Sequence, residues 1–426
     1  MHILIVTNHF WPENFRINEL AVGLKNRGHD ITVFTGVPDY PEGRFYTGYG
    51  WFKKRSEDWK GVRIHRFPLI PRGNGRALNL ILNYLSSLFL ACLHIPFVCR
   101  ERYDAIFVFD TSPVTIGLPA VLLKKFRSIP LVFWVLDLWP ESLSATGAVT
   151  SPKAISLVKR LVRFIYSHCD RILVSSNSFK SNIKEIGGYD GKVDYFPNWV
   201  ENEYLFEDQD VLNHDLPEMP GGFKVMFAGN IGAAQDFPTI LAAAECLRGY
   251  PDIHWIILGD GRKASWVKDQ VKSRGLEKQF HQMGRFPAET MPHFFQQADA
   301  MLLTLKNDPI FELTVPGKLQ SYFASGKPVI GGIEGEGASI IREAQAGFSC
   351  PAASPELLAK CVLDMYELNS EERQAMGKSG QAYCNAHFDR DVLFARLEDT
   401  FYDVVAAYNR CDDIKETSAS EAYETP

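Results

Sequence analysis

Short apolar runs alternate with amphipathic stretches along the chain, and this alternation constrains the fold more than any other feature. In the first half the apolar runs are Ile3–Thr7, Ile31–Thr35, Val62–Phe67, Ala105–Phe109, Leu131–Val135, Ile172–Ser175 and Val193–Phe196. Amphipathic stretches such as Phe15–Asn26, Pro113–Lys125 and Pro152–Cys169 lie between them. Continuous apolar strands alternating with helices predict parallel sheets covered on both faces. The pattern stops at Glu201–Gly222, which is acidic, turn-rich and without period, and reads as a linker. It restarts with Phe223–Ala228, Ile253–Leu258, Phe280–Met283, Ala300–Leu305 and Pro328–Gly331, then helices over Leu357–Leu368 and Ser370–His387.

The expectation is an α/β chain of two doubly wound, Rossmann-like domains, residues 1–200 and 223–388, joined by linker 201–222. A last amphipathic stretch within 389–411 is expected to return to the N-terminal domain, with 412–426 a frayed polar tail. Ligands of such sheets bind beyond the carboxyl ends of the strands, so an interdomain cleft is the expected site.

Composition sets the outer limits. With 426 residues, 46% of them hydrophobic, there is ample material for two cores. A net charge of −6 gives no bulk attraction to nucleic acid. The eight cysteines form no Cys-x-x-Cys and no zinc spacing, and the apolar run at Ile3–Val6 is too short for a secretion signal. Both features fit a reducing, cytoplasmic setting.

Leu78–Cys99 has the length of a membrane span but carries Asn79, Asn83, Ser86, Ser87, His94 and Pro96. Leu78, Leu82, Leu85, Phe89 and Leu93 share one helical face. The stretch reads as a packed helix, an interfacial helix or a span. Lys53, Lys54, Arg55, Arg63, Arg66, Arg72 and Arg76 precede it, a basic approach that suits anionic headgroups or a solvated surface.

Two segments point to a phosphate. "FAGNIGAAQD" places Gly229, Asn230 and Gly232 between a strand and a helix, a turn whose backbone N–H groups suit an anion. No Gly-Lys-Ser/Thr follows, so a triphosphate loop is excluded, and "GDGRKA" at Gly259 fails the dinucleotide fingerprint after two glycines. "FELTVPGKLQSYFASGKPVIG" then places Thr314 and Pro316 at a helix start with Lys318 in the first turn. A lysine beside two helix starts suits a diphosphate leaving group.

Taken together, "NHFWPENFRINELAVGLKNRGHDITVFTGVPDYPEG", "WVLDLWPESL", "FAGNIGAAQDF" and "TVPGKLQSYFASGKPVIG" resemble the retaining glycosyltransferases of family 4, which have the GT-B fold. Within that family they resemble the WbuB type of O-antigen and capsule enzymes, over Met1 to about Phe401.

The resemblance implies a UDP-linked N-acetylated amino sugar, often 6-deoxy, as donor. It implies an undecaprenyl-diphosphate-linked sugar as acceptor, at the inner face of the cytoplasmic membrane. Gly229, Asn230, Gly232 and Gln235 would approach the diphosphate, with Lys318 as its cation and Arg262 a second candidate. Gln235-Asp236 stands where many relatives have a lysine, which shifts charge onto Lys318. The usual pair of glutamates eight apart is absent or displaced. Glu312 would hold a donor-sugar hydroxyl, and either Gln320 or Ser321 the ribose. Asp137, beside the place of a family histidine taken here by Leu136, would contact the acceptor hydroxyl or accept its proton, unless it caps a helix. Trp139 and Glu141 would shape the acceptor pocket, and Asn14 and Arg16 would meet its pyrophosphate.

No cofactor and no metal are expected. Asp208-Gln-Asp210 and Asp389-Arg-Asp391 spell Asp-x-Asp, but solvation and helix capping explain both. A nucleotide-sugar 2-epimerase of the same fold and a non-catalytic nucleotide-sugar-binding protein are the alternative readings.

Overall fold

The computed structural model describes residues 1–145, 151–201, 204 and 216–421. Most of the expected linker, with Asp208 and Asp210, lies outside the described residues, as does 422–426 of the tail. The chain divides into two compact units, one of Met1–Phe196 with Asp391 onward, the other of Pro197–Arg390.

The first unit holds β1 (His2–Thr7), β2 (Asp30–Gly36), β3 (Ser56–Trp59), β4 (Val62–Phe67), β5 (Ala105–Asp110), β6 (Leu131–Val135), β7 (Arg171–Val174) and β8 (Val193–Tyr195). They form one sheet in the order β3-β4-β2-β1-β5-β6-β7-β8. All pairs are parallel except β3–β4. Strand order reverses at β1, where β2 lies on one side and β5 on the other. Every residue of β5 and β6 is buried, which is why both read as unbroken apolar runs. The helices are α1 (Arg16–Asn26), α2 (Ala77–Val98), α3 (Gly117–Arg127), α4 (Glu141–Ala145), α5 (Pro152–Ser167) and α6 (Phe179–Gly187).

β3 is not legible in the sequence, because Ser-Glu-Asp-Trp has no apolar alternation. It forms through a two-residue hairpin turn. Lys60 (φ 53°) and Gly61 (φ 77°) are both left-handed, the geometry that matches strand twist, and Trp59 pairs Val62.

α2 is inside out. The side chains turned into the unit are Asn83, Ser87, Ala91 and Ile95, one per turn. Leu78, Ile81, Leu82, Leu85, Phe89, Leu93 and Phe97 face outward, with Leu78 and Phe89 each 67% exposed. The apolar face found in the sequence is therefore the solvent face, and the packed-helix reading of it is corrected. The polar residues do the anchoring. Asn83 Nδ2 donates to the Ile70 carbonyl (2.7 Å) and Asp39 Oδ2 (3.3 Å), and Ser86 Oγ accepts from the Ile70 N–H (2.9 Å).

The second unit holds β9 (Phe223–Ala228), β10 (Ile253–Leu258), β11 (Phe280–Gly284), β12 (Ala300–Thr304), β13 (Val329–Gly332) and β14 (Gly347–Cys350). They form an all-parallel sheet in the order β11-β10-β9-β12-β13-β14. Its helices are α7 (Phe237–Cys246), α8 (Ala264–Ser273), α9 (Met291–Gln297), α10 (Pro309–Leu313), α11 (Lys318–Ala324), α12 (Gly335–Glu343), α13 (Pro355–Glu367) and α14 (Ser370–His387). Two apolar layers, one on each sheet face, bury Trp255, Phe294, Phe227 and Ile240 among others. At about 25 cal/mol per Å² of apolar surface, these layers supply the main drive for the unit's folding.

The last helix, α15 (Arg390–Glu421), belongs to the first unit. Phe394, Leu397, Phe401 and Val404 are buried at helical spacing, and Phe394 occupies the space left by the absent side chain of Gly23. Glu398 accepts from His29 Nε2 (2.7 Å) and Arg27 Nε (2.5 Å). The helix runs past Cys411, where the sequence reading placed a frayed tail. The apolar period ends there, but no proline or glycine follows before Glu421 to stop the backbone.

Candidate active site

In the second unit, three loops at the carboxyl ends of β9, β10 and β11 are stacked through glycines. The Gly229 N–H donates to the Leu258 carbonyl (2.9 Å), and the Gly259 N–H to the Gly284 carbonyl (2.7 Å). A side chain on Gly259 (φ 130°) would collide with the Gly229 carbonyl. Gly259 is therefore needed for packing against the Gly229 loop. The Ile231 N–H donates to the Asp260 carbonyl (2.8 Å), which joins the loops further.

Lys318 lies against this loop. It opens α11, and its ammonium sits 3.6 Å from the ring centroid of Phe227, the cation–π arrangement. A β-carbon on Gly229 (φ 137°) would lie 2.5 Å from its Cε and 2.6 Å from its Nζ. The residue as a whole is partly exposed, but Nζ is buried and has no hydrogen-bond partner among the described residues. Burial away from water pushes its pKa down to about 7. A buried, unpaired amine beside a glycine loop is short of one thing, an anion.

Tyr322, one turn further on, fixes this placement. Its hydroxyl accepts from the Ala228 N–H (3.0 Å) and lies 3.2 Å from the Ala228 carbonyl, clamping α11 to the last residue of β9. The sequence reading passed over Tyr322; its spacing of four from Lys318 was the available signal.

The other expected donor residues are placed as follows. Asn230 is exposed at the loop tip. Gln235 accepts from the Gly232 N–H through Oε1 (3.2 Å), and its carbonyl accepts from Thr304 (2.6 Å), so it braces the loop. Arg262 is exposed on the neighbouring loop. Gln320 is buried, with its amide nitrogen donating to the Pro316 (3.2 Å) and Gly317 (2.9 Å) carbonyls, and so holds the start of α11. Ser321 is buried beside it. Glu312 is exposed on α10. Its backbone carbonyl touches Gly335 (φ 65°), where any side chain would clash, so the start of α12 packs on the Glu312 backbone. "EGEGAS" after β13 was the unread signal for this second glycine turn into a helix.

In the first unit, Asp137 follows β6, half-buried. Its Oδ2 accepts from Ser112 Oγ (2.7 Å) and the Ser112 N–H (3.3 Å). Trp139 Nε1 donates to the same Oγ (3.2 Å). Asp137 is thus tied to the loop after β5, and among the described residues it makes no bond to α4. Trp139 is buried and supports Ser112. Glu141 opens α4 and accepts from Asn182 Nδ2 (3.1 Å). Beside them, Asp110 ends β5 fully buried, with neither oxygen bonded among the described residues. Burial first, then the Asp137 charge, push its pKa well above the ordinary 3.8. Asn14 is exposed before α1, and Arg16 opens that helix half-buried.

One group of side chains has metal-ligand types. Donor atoms of His9, Glu13 and Asp39 lie within 4.8 Å of one another, all buried. They are used otherwise. Glu13 Oε2 bonds His9 Nδ1 (2.7 Å), and Oε1 accepts from the Asp39 (2.8 Å) and Tyr40 (2.7 Å) N–H groups. His9 Nε2 faces the Arg72 guanidinium (2.8 Å), a cation already in place.

Two Rossmann-like units, with a glycine loop and a buried lysine at the strand ends of the second, have the architecture of a GT-B glycosyltransferase. Residues 14–199 match the glycosyl transferase 4-like domain, and residues 209–383 match glycosyl transferases group 1. Both matches are to glycosyltransferase domains, and with the relatives below they support a family 4 glycosyltransferase. It is 28% identical over 375 residues to the glycosyltransferase WbjE of Pseudomonas aeruginosa, spanning 79% of this chain and 91% of WbjE. It is 26% identical over 341 residues to WcaI of Escherichia coli K12, assigned to colanic acid biosynthesis, spanning 76% and 82%. Among solved structures, HepE of Anabaena bound to UDP superposes with a TM-score of 0.68 at 14% identity, over 95% of this chain and 100% of HepE. Sucrose-phosphate synthase of Thermosynechococcus elongatus gives 0.71 at 15%, over 95% and 99%.

Proposed function

We propose that the chain is a retaining, metal-independent transferase of the WbuB type that needs no cofactor. It moves an N-acetylated, 6-deoxy amino sugar of the FucNAc kind from a UDP-sugar to an undecaprenyl-diphosphate-linked sugar, in O-antigen, capsule or exopolysaccharide synthesis. The observation that carries the donor half is the unpaired Lys318 amine against Gly229. HepE, of the same fold, binds UDP and UDP-glucose. On this reading the donor diphosphate lies on the 229–232 loop, with Lys318 protonated against it as the sugar–phosphate bond breaks. Arg262, Asn230 and Glu312 reach the donor from exposed positions. Buried Gln320 and Ser321 shape the start of α11, and Gln235 holds the loop. Asp137, fixed by Ser112, takes the acceptor hydroxyl, with the leaving phosphate accepting its proton on the same face. Trp139 and Glu141 support that position, and Asn14 and Arg16 border the acceptor.

The lipid half rests on α2. A helix that turns its polar side inward and leucines and phenylalanines outward suits a membrane surface. Phe126 on α3 and Leu157 and Phe164 on α5 are exposed as well, on helices that carry Lys124, Lys125, Arg127, Lys153, Lys159, Arg160 and Arg163 and no acid. Cations beside an exposed apolar surface suit anionic lipid. The protein then works as a peripheral enzyme on the cytoplasmic face of the inner membrane.

Thermal melting with UDP, GDP, ADP and NAD at matched concentration tests the donor, since a ligand of the folded state raises the midpoint. A shift with UDP alone is expected. A shift with GDP would replace the donor, and a shift with NAD alone or with none would overturn the transferase reading.

A further inference from the structure

The His9–Glu13–Asp39 group supports a cation that nothing in the donor site uses. Arg72 follows β4 and lies four residues before Arg76, the residue that precedes α2. Its backbone N–H donates to Asp39 Oδ2 (2.7 Å), and one guanidinium nitrogen donates to His9 Nε2 (2.8 Å). His9 can accept there only with its proton on Nδ1, where Glu13 takes it. Glu13 is in turn held by two backbone N–H groups. The guanidinium carbon lies 5.3 Å from the Tyr40 ring centroid and 5.8 Å from that of Tyr84. Position and plane are set from several sides.

This arginine makes no structural use of its remaining donors. Arg66, in the same unit, shows what a structural arginine looks like. It is 2% exposed and donates to the Lys54 carbonyl (3.3 Å), the Trp11 carbonyl (2.8 Å) and Glu57 (2.6 Å). Arg72 is only half-buried, and its guanidinium bonds to His9 alone among the described residues. A guanidinium has five N–H donors in a planar fork that matches phosphate oxygens. His9 lies just beyond β1 and Asp39 just beyond β2, so the group sits past the carboxyl ends of three neighbouring strands, where ligands of such sheets bind.

Its surroundings suit an amphiphile. Arg76, four residues on, is exposed, and α2 then presents Leu78, Ile81, Leu82 and Leu85 outward with no charged residue along its length. We propose that Arg72, held by the His9–Glu13 pair, binds the diphosphate of an isoprenyl-diphosphate-linked acceptor whose chain lies along the start of α2. This rests on the lipid-acceptor reading above and assigns the phosphate contact to Arg72.

The test is calorimetric titration of the full chain with farnesyl diphosphate below its micellar concentration, in a Lys318→Met background that removes the donor-site cation. Farnesol and inorganic pyrophosphate are titrated alongside. The expected result is binding that survives Lys318→Met, weakens at least tenfold in Lys318→Met/Arg72→Gln, and is not reproduced by farnesol. If Arg72→Gln fails to melt cooperatively, His9→Gln leaves the guanidinium in place but unheld and is expected to weaken binding several-fold. Unchanged affinity in the variants, or binding abolished by Lys318→Met alone, overturns the proposal. Flotation with phosphatidylglycerol vesicles separates the two sources of phosphate. If Arg72→Gln abolishes flotation but leaves farnesyl diphosphate binding intact, Arg72 contacts the bilayer and the assignment falls. A UDP or GDP shift without farnesyl diphosphate binding overturns this inference alone; a shift with NAD alone or with no nucleotide overturns the transferase reading itself.

Discussion

Gly229 and Lys318 occupy one space: the volume that any side chain at residue 229 would need is filled by the lysine's Cε and Nζ. The glycine also has φ 137°, a conformation that other residues rarely adopt. Gly229→Ala therefore displaces the ammonium and strains the loop at about 1–3 kcal/mol. The expected outcome is a lowered melting midpoint together with loss of the UDP-induced shift. A variant that keeps the full UDP shift would show that the ligand does not use this contact.

Lys318 sets a pH dependence whose sign follows from burial. Its pKa in the free protein is about 7, and an anion against it raises that value. Below pH 7 the amine is already charged and UDP binds without proton uptake. Above pH 7 each binding event takes up a proton, so affinity falls toward tenfold per pH unit. The window to measure is pH 7–9, where the terminal phosphate of UDP is fully ionised, its last pKa being about 6. The lysine's own stability cost is present below pH 7 and fades as pH rises toward 10.5, the ordinary lysine value. Lys318→Met should raise the midpoint of the free protein at pH 6.5, flatten the UDP pH profile and cost turnover about 2–4 kcal/mol of barrier. Near-normal turnover in this variant would remove Lys318 from the mechanism.

Tyr322 carries the position of Lys318 through the Ala228 backbone. Tyr322→Phe leaves the Ala228 N–H buried without its partner, at about 1–3 kcal/mol in urea unfolding. A purely structural role predicts that loss alone. A positioning role predicts weaker UDP binding as well, measured under conditions where the variant is fully folded.

Asp110 is a buried carboxyl inside the first unit with neither oxygen bonded among the described residues. Its folded pKa lies above the ordinary 3.8, so its destabilising effect is absent below that pH and grows as pH rises. Asp110→Asn keeps the shape without the titration. The variant is expected to be more stable than the parent at pH 8, with the difference shrinking toward pH 4. A constant difference across that range would mean that Asp110 is ionised in a paired state.

What was legible in the sequence follows from locality. β9, β10 and α14 were read to the residue because their apolar periods and turn signals are local, and the Gly229 loop and Lys318 came with them. The miss at β3 has a tertiary cause, since its four polar residues gain strand form only by pairing with β4. Gln320 reads as a ligand-binding amide, and the structure adds that its amide nitrogen donates within its own helix start, to the Pro316 and Gly317 carbonyls. Arg72 and His9 are distant in sequence, and they meet where the loops after β1 and β4 come together over β2, with Gly73 also donating to the Gly43 carbonyl (2.8 Å) in the loop after β2.

α2 shows most sharply that a hydrophobic face in the sequence does not say which way it points, and the contrast between its two faces is directly testable. Leu85 and Phe89 lie on the outward face and Asn83 on the inward one. For an ordinary core helix, Leu85→Ser/Phe89→Ser would remove burial and unfold the unit, while Asn83→Ala would be mild. The structure reverses the expectation. Leu85→Ser/Phe89→Ser should leave the melting midpoint unchanged and weaken flotation with phosphatidylglycerol vesicles, since each large side chain entering the bilayer contributes about 1.5–3 kcal/mol. Asn83→Ala should cost about 1–3 kcal/mol by leaving the Ile70 carbonyl without its donor, while Asp39 keeps the Arg72 N–H. Flotation should also fall as salt rises, because the cations of α3 and α5 act through a screened field. Unchanged flotation in the double variant would move the membrane contact off α2.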